Sequence, residues 1–418
     1  MSAGTEFNPI GQSFDELYGT LRQFRDKEPI FFSERFGLWV LTRFEDIVSV
    51  MISDCFSVQN ANQVIQGGKY CPEATAILAG GVSWIDTPHI QSEEGETHQR
   101  FRRAIQGVMT PNRIKSLEPG IRKICNELID KFIRKGHCEF VSEFSYPLPM
   151  LAIFLLIGLD DREIDIHQLS PLIDDMFRLF MVPLTPEQQV AAARHTLEFQ
   201  QFIHEKIIDR RKNPRNDLLS ELLQNWSTGP AKISDDELVI MFTNSFMGAG
   251  HETTKSSLTN SMWHLLSNPE HWQYVKNHPE RISEVVEECL RLDTPLLGWY
   301  RTCVKETVIG GVSFREGDTL VAMFGSANHD ERKFENPDAL CPARGTPIRH
   351  LTFNTGKHTC LGAPLARLEI RVAFELLSTR LKELRLNPEY DVVYEPSFAT
   401  RGIRRLELQW NANTSDAS

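Results

Sequence analysis

The stretch FNTGKHTCLG, Phe353 to Gly362, sets one cysteine among an aromatic residue seven positions earlier, glycines on both sides and a histidine two positions upstream. A helical pattern begins just after Cys360, so the helix dipole and the N–H groups of its first turn favour a thiolate over a thiol. Zinc would ask for three further ligands at paired spacings, and no nearby Cys or His supplies them. Haem iron asks a protein for one strong axial ligand, and a Cys thiolate there donates electron density that favours O–O cleavage. A lone cysteine is most often a buried core thiol. The pattern F-x-x-G-x-x-x-C-x-G outweighs that reading.

Other clusters have chemical possibilities of their own. In EECLR, Glu288 and Arg291 stand one helical turn apart and can meet on one face, although an exposed pair of this kind contributes little. In GAGHETT, Gly248 to Thr254, two glycines within three residues of a helix interior cost about 1 kcal/mol each relative to Ala. Either the backbone approaches something large, the helix is widened, or another helix crosses closely. Glu252 and Thr253 place an acid beside an alcohol in this segment, and His98 and Arg102 in HQRFRR share a helix face.

The cysteine pattern resembles the haem-binding signature of the cytochrome P450 superfamily, and the resemblance runs over nearly the whole chain through independent motifs in the same order. It implies a P450-like fold in one haem domain, residues 1–418, with haem b between a long distal helix and the helix that follows the cysteine loop. Cys360 is then the axial metal ligand, Phe353 shields its sulfur, and Gly356 and Gly362 permit the tight loop. Asn354 stands where Gly is commoner, and Asn tolerates left-handed backbone better than other non-glycine residues. Glu288 and Arg291 pair with Arg344 as scaffold. His98, Arg102, Arg301 and His358 match contacts to the haem propionates. Ala249 and Gly250 match the distal haem face, and Glu252 and Thr253 the catalytic pair that delivers protons to bound dioxygen.

The resemblance further implies a bacterial-type monooxygenase that inserts one oxygen atom from O2 into a hydrophobic organic molecule, aromatic ones among the candidates, by hydroxylation, O-dealkylation or epoxidation. No G-x-G-x-x-G opens a βαβ unit and no ferredoxin-like cysteine set is present, so electrons from NAD(P)H would come through a separate ferredoxin and ferredoxin reductase. Arg102, Arg103, Lys357, Arg367 and Arg371 are the cations expected to meet an acidic ferredoxin. A peroxide-driven or non-oxidative enzyme and a non-catalytic haem sensor are the alternatives. The expected substrate wall draws on the 60–90 loop and on Phe180, Met181, Val182, Phe242, Met247, Leu296, Leu297 and Phe398, each of which also reads as ordinary core.

The elements that must position these residues are mainly helical, with a small β portion. Ser234 three residues before Glu237 has capping-box spacing and opens one helix of about thirty residues that stops at Asn268-Pro269. Thr185-Pro186 with Gln188 opens another, ending near Asn213-Pro214. APLARLEIRVAFELLSTRLKEL predicts a third, over 363–384. GLWVLTR and the run TVIGGVSFREGDTLVAM around Gly310-Gly311 are the best strand candidates.

A formal charge of −11 argues against nucleic acid, whose binding rests on clustered Lys and Arg. The sequence shows no run of eighteen apolar residues and no signal-peptide pattern at its start, so a cytoplasmic, unanchored protein is expected. Eight dispersed cysteines without C-x-x-C predict mostly reduced, buried thiols.

Overall fold

The computed structural model describes residues 3–59, 70–159, 163–182, 184–226, 232–345 and 348–412. Two compact units emerge: Met1–Ser57, Glu118–Pro149 and Thr253–Ser418 form the first, and Val58–Leu117 with Met150–Glu252 the second.

All the strands among the described residues belong to the first unit. β1 (Ile30–Ser33) runs antiparallel to β2 (Leu38–Leu41) and pairs Phe31 with Val40. β3 is Phe56–Ser57, β4 His137–Glu139, β5 Trp299–Cys303, β6 Thr307–Ile309, β7 Val312–Phe314 and β8 Thr319–Ala322. β2 lies parallel to β8, which is antiparallel to β5, giving the order β1-β2-β8-β5-β3. Leu41, Ile47, Val50, Phe56, Leu320 and Ala322 pack in the apolar cluster under this sheet. β6 and β7 form a hairpin in which Gly310 and Gly311 take φ of 54° and 82°, the left-handed pair that a tight two-residue turn requires.

The helix after the cysteine loop is shorter than its apolar spacing predicts. It spans Ala363–Arg380, and Lys382–Leu386 becomes β9, paired with β10 (Glu407–Asn411). Leu384 and Leu386 suit a helix face and a strand equally, and pairing with a distant strand decides the outcome.

The second unit is helical among its described residues. The helix start read at Thr185-Pro186 is real: Thr185 and Gln188 form a capping box at the head of Pro186–Lys212, which stops at Asn213. Arg210, fully buried near its end, donates to Asp217 Oδ2 at 2.7 Å and to Gly158 O at 3.0 Å. The helix opened by Ser234 forms as predicted, with Ser234 Oγ accepting from Glu237 N at 3.2 Å. Its interior is not uniform: Asp235–Ile240 is α, Met241–Gly248 is π-helical, and Ala249–Ser267 is α again. The widening expected from the glycines lies immediately before Ala249 and Gly250.

Candidate active site

In the first unit, Phe353, Gly356, His358, Cys360 and Gly362 share one loop. Cys360 N donates to Phe353 O at 2.9 Å, closing the loop across its base. The chain reverses through Asn354 at φ 60° and Gly356 at φ 72°, so Asn354 adopts the left-handed backbone its type tolerates. Gly356 is further constrained by packing, since a Cβ there would lie 2.8 Å from Met51 O. A Cβ at Gly362 would come 3.7 Å from Cys360 Sγ, so this glycine leaves room beside the sulfur. Gly362 also caps the helix Ala363–Arg380, and Cys360 stands exposed just ahead of it.

Behind the loop lies a pair of ionic clusters. Glu288 is completely buried and takes Arg291 at 2.8 and 2.9 Å and Arg344 Nε at 2.9 Å, which completes the triad expected from EECLR. Arg291 also donates to Asn328 O and Pro337 O at 2.8 and 2.7 Å, so the triad fastens the chain that leads into the loop. Sequence reasoning missed the second cluster. Glu287 accepts from Arg367 Nε and Nη2 at 2.6 and 2.8 Å, with His350 Nε2 3.3 Å away. Burial acts to raise the Glu287 carboxyl, but Arg367 and His350 prevail and hold it at about 2. The same Arg367 guanidinium lies 4.4 Å from the centre of the Phe353 ring, so the aromatic that frames the cysteine is clamped by a salt bridge. The signal available in sequence was a second glutamate next to Glu288.

Arg301 sits on β5 opposite Leu320, 2% exposed, with Nη1 donating to Tyr300 O at 2.7 Å. Thr253, also of this unit, is half-buried on the helix Ala249–Ser267.

The second unit holds the remaining candidates. His98 is 3% exposed and Arg102 half-buried on the helix Gly95–Val108, and the long helix carries Ala249, Gly250 and Glu252. Ala249 is exposed although Phe246, Met247, His251 and Glu252 around it are buried. A Cβ at Gly250 would meet Ile153 Cδ1 at 3.1 Å, so its smallness serves a close helix crossing and leaves only its backbone to approach a cofactor. Among the expected wall residues, Phe242, Met247 and Leu297 are at most 1% exposed and are core. Phe398 packs against Phe7, Phe36 and Tyr300 of its own unit. Residues 60–69 of the expected wall lie outside the described residues.

These side chains fit a haem. The loop presents the exposed Cys360 sulfur ahead of a helix, and a haem iron would ask the protein for one such strong ligand. Among the described residues no group of three or more His, Cys, Asp or Glu is placed to hold a bare metal ion. None of the eight cysteines is in a disulfide; Cys125, Cys138, Cys289 and Cys303 are buried as expected, whereas Cys55, Cys71 and Cys341 are half-buried.

Comparison with known proteins agrees with this geometry. The sequence model of the Cytochrome P450 family matches residues 159–404. The polyketide biosynthesis cytochrome P450 PksS of Bacillus subtilis (strain 168) is 31% identical over 415 residues, covering 96% of this chain and 98% of that protein. Among solved structures, cytochrome P450 CREJ in complex with (4-ethylphenyl) dihydrogen phosphate superposes with a TM-score of 0.88 at 29% identity, covering 98% of this chain and all of that one. The haem domain of Acinetobacter radioresistens CYP116B5 gives 0.89 at 30% identity, covering 98% of each chain. No helix among the described residues is long and apolar enough to cross a membrane. With its family signature, fold and cysteine loop in agreement, the chain belongs to the cytochrome P450 family of haem-dependent monooxygenases.

Proposed function

We propose that this protein inserts one oxygen atom from O2 into an apolar organic small molecule, with electrons passing from NAD(P)H through a separate ferredoxin reductase and ferredoxin. The observation that carries the reading is the loop that holds Cys360 exposed, its amide tied to Phe353 O at 2.9 Å and its turn built on left-handed Asn354 and Gly356. Cys360 ligates the iron, Phe353 covers the sulfur, and Gly356 and Gly362 leave room for the ring. His98, Arg102, Arg301 and His358 would hold the haem propionates through charge-assisted hydrogen bonds, and Ala249 and Gly250 would leave the distal helix free of bulk towards the haem. Bound haem supplies the redox chemistry that cleaves the O–O bond. Glu252 and the Thr253 hydroxyl hold and pass the protons that this cleavage consumes, and apolar surroundings limit stray water. Residues 1–418 act as a single haem domain in the cytoplasm.

Relatives named for polyketide biosynthesis or solved with an ethylphenyl phosphate support an organic substrate. The cations offered to ferredoxin include Arg102 and Arg103. Lys357 lies 2.8 Å from Asp54, Arg367 is bonded to Glu287, and Arg371 is 2.7 Å from both Glu118 and Glu375. At Lys357, Arg367 and Arg371 a partner therefore meets salt bridges more than bare charge.

Two measurements test the proposal. Purified protein supplied with NADPH, a surrogate ferredoxin and reductase, O2 and an alkylbenzene should form an oxygenated product; turnover with hydrogen peroxide but none with reduced ferredoxin would overturn the electron route. Cys360→His should abolish the red-shifted absorption band of the reduced carbon monoxide complex, and survival of that band would reject the ligand.

A further inference from the structure

The last turn of the helix Ile282–Leu292 leaves carbonyls without partners inside the helix, and side chains from later in the chain take up two of them. Thr352 Oγ1 donates to Leu290 O at 2.7 Å, and His329 Nε2 lies 2.6 Å from Leu292 O. The helix end thereby gathers two segments: the end of the short helix Phe324–Asn328, and the stretch that enters the cysteine loop.

Asn328 joins those two segments to each other. It is fully buried; its Oδ1 accepts from Leu351 N at 2.7 Å, and its Nδ2 donates to Thr352 Oγ1 at 2.9 Å. The partners fix which way the carboxamide points. Leu351 N can only donate, and the Thr352 hydroxyl, already donating to Leu290 O, is left to accept. Asn328 is itself anchored, because its backbone O accepts from Arg291 Nη1 at 2.8 Å. The buried triad therefore holds the backbone of Asn328, and its side chain holds the loop entry.

From Leu351 the bonding continues to the cysteine. Leu351 O accepts from Asn354 N at 2.8 Å, and Phe353 O accepts from Cys360 N at 2.9 Å. Leu351 and Thr352 are 4% and 8% exposed, so water does not stand in for a lost partner there. The Arg367 guanidinium steadies the ring of Phe353, whereas Asn328 steadies the backbone just before it.

We infer that Asn328 is a positioning residue for haem ligation: its carboxamide oxygen, on Leu351 N, sets where the chain enters the cysteine loop and so where the Cys360 sulfur stands. This rests on Cys360 as the iron ligand and adds a residue that no motif around the cysteine contains. Thr352 shares the polar cluster but not the grip on Leu351 N, which makes it the control.

The test uses haem-loaded full-length protein. Two quantities are read: the share of the reduced carbon monoxide complex in the red-shifted band, which reports the thiolate ligand, and the rate of haem transfer to apomyoglobin. Urea unfolding measures stability separately. Asn328→Leu has similar bulk and no acceptor; it should lose most of the red-shifted band and release haem about tenfold faster, the scale of leaving one buried N–H unpaired. Asn328→Asp still offers an oxygen to Leu351 N, so it should keep the band even though burying a carboxylate lowers its stability. Thr352→Val should likewise lose stability and keep the band. If Asn328→Leu does not fold, Asn328→Ser, whose shorter side chain falls short of Leu351 N, takes its place with the same expectation. An intact band and unchanged haem release in the variant without the acceptor would overturn the inference, as would loss of the band in Asn328→Asp or Thr352→Val to the same extent. A wild type without the red-shifted band would reject Cys360 as the ligand and this inference with it, whereas a normal band in both the wild type and Asn328→Leu rejects the role of Asn328 alone.

Discussion

Glu287 stands beside the buried Glu288 and faces a different set of partners, Arg367 and His350. Its folded pKa of about 2 lies below the ordinary unfolded value of about 4.3, so the pairing contributes stability that is fully present above that range and is lost as the pH falls through about 2. Glu287→Gln keeps the shape and removes the charge. At pH 7 it should cost about 1.5–3 kcal/mol in urea unfolding, the range for hydrogen bonds to charged groups. The gap from wild type should shrink as the pH is lowered from 5 towards 3, because the wild-type carboxylate is then losing its own advantage. A gap that stays constant over that interval would show that Glu287 acts by packing and not by charge. The variant should also leave Phe353 less firmly held, since Arg367 would no longer be fixed over its ring.

The cysteine loop as an element depends on backbone conformation more than on side chains. Gly356 combines φ 72° with the 2.8 Å approach to Met51 O, so Gly356→Ala meets both left-handed strain and a backbone collision. It should cost at least about 2 kcal/mol and release haem to apomyoglobin faster than wild type. Asn354→Gly, at φ 60°, should retain haem as the wild type does; equal haem retention by Gly356→Ala would mean that the loop can relax away from Met51. Much of this element was legible in sequence because its rules are local: glycines in a tight turn and Asn in left-handed backbone, as was the capping box at Ser234 on the long helix. The triad of Glu288, Arg291 and Arg344 was legible only through the resemblance, as its third member is far along the chain. Glu287 with Arg367 and His350 has the same long-range character and no motif to announce it. The end of the helix at Arg380 was misread for a related reason: strand pairing with residues near 408 is not written into Leu381–Leu386. Phe242, Met247 and Leu297 could not be assigned from type alone, since core and pocket both select apolar residues, and burial resolves them as core.

On the proposed reaction, the decisive property of the whole molecule is how many electrons end in product, because substrate, reductant and protons would arrive separately and be spent together. Thr253 belongs to the helix Ala249–Ser267, directly after the widened segment Met241–Gly248, and is half-buried while Thr254 and Ser256 beyond it are buried at 4% and 1% exposure. A hydroxyl so placed can hand on a proton without opening the interior to bulk water. Thr253→Ala removes the hydroxyl and little else, so haem content and the substrate-induced absorption change should stay near wild type. NAD(P)H consumption should continue, but a larger share should appear as hydrogen peroxide and a smaller share as oxygenated product. If Thr253 were only a packing residue, the same change would lower thermal stability modestly and leave the ratio of product to peroxide as it was. Product and peroxide measured per NAD(P)H oxidised distinguish these outcomes, and an unchanged ratio places the proton route elsewhere. Thr253→Ser, which restores the hydroxyl without the methyl group, should recover most of the lost product, because the proposed route uses the oxygen and its proton and not the branched side chain.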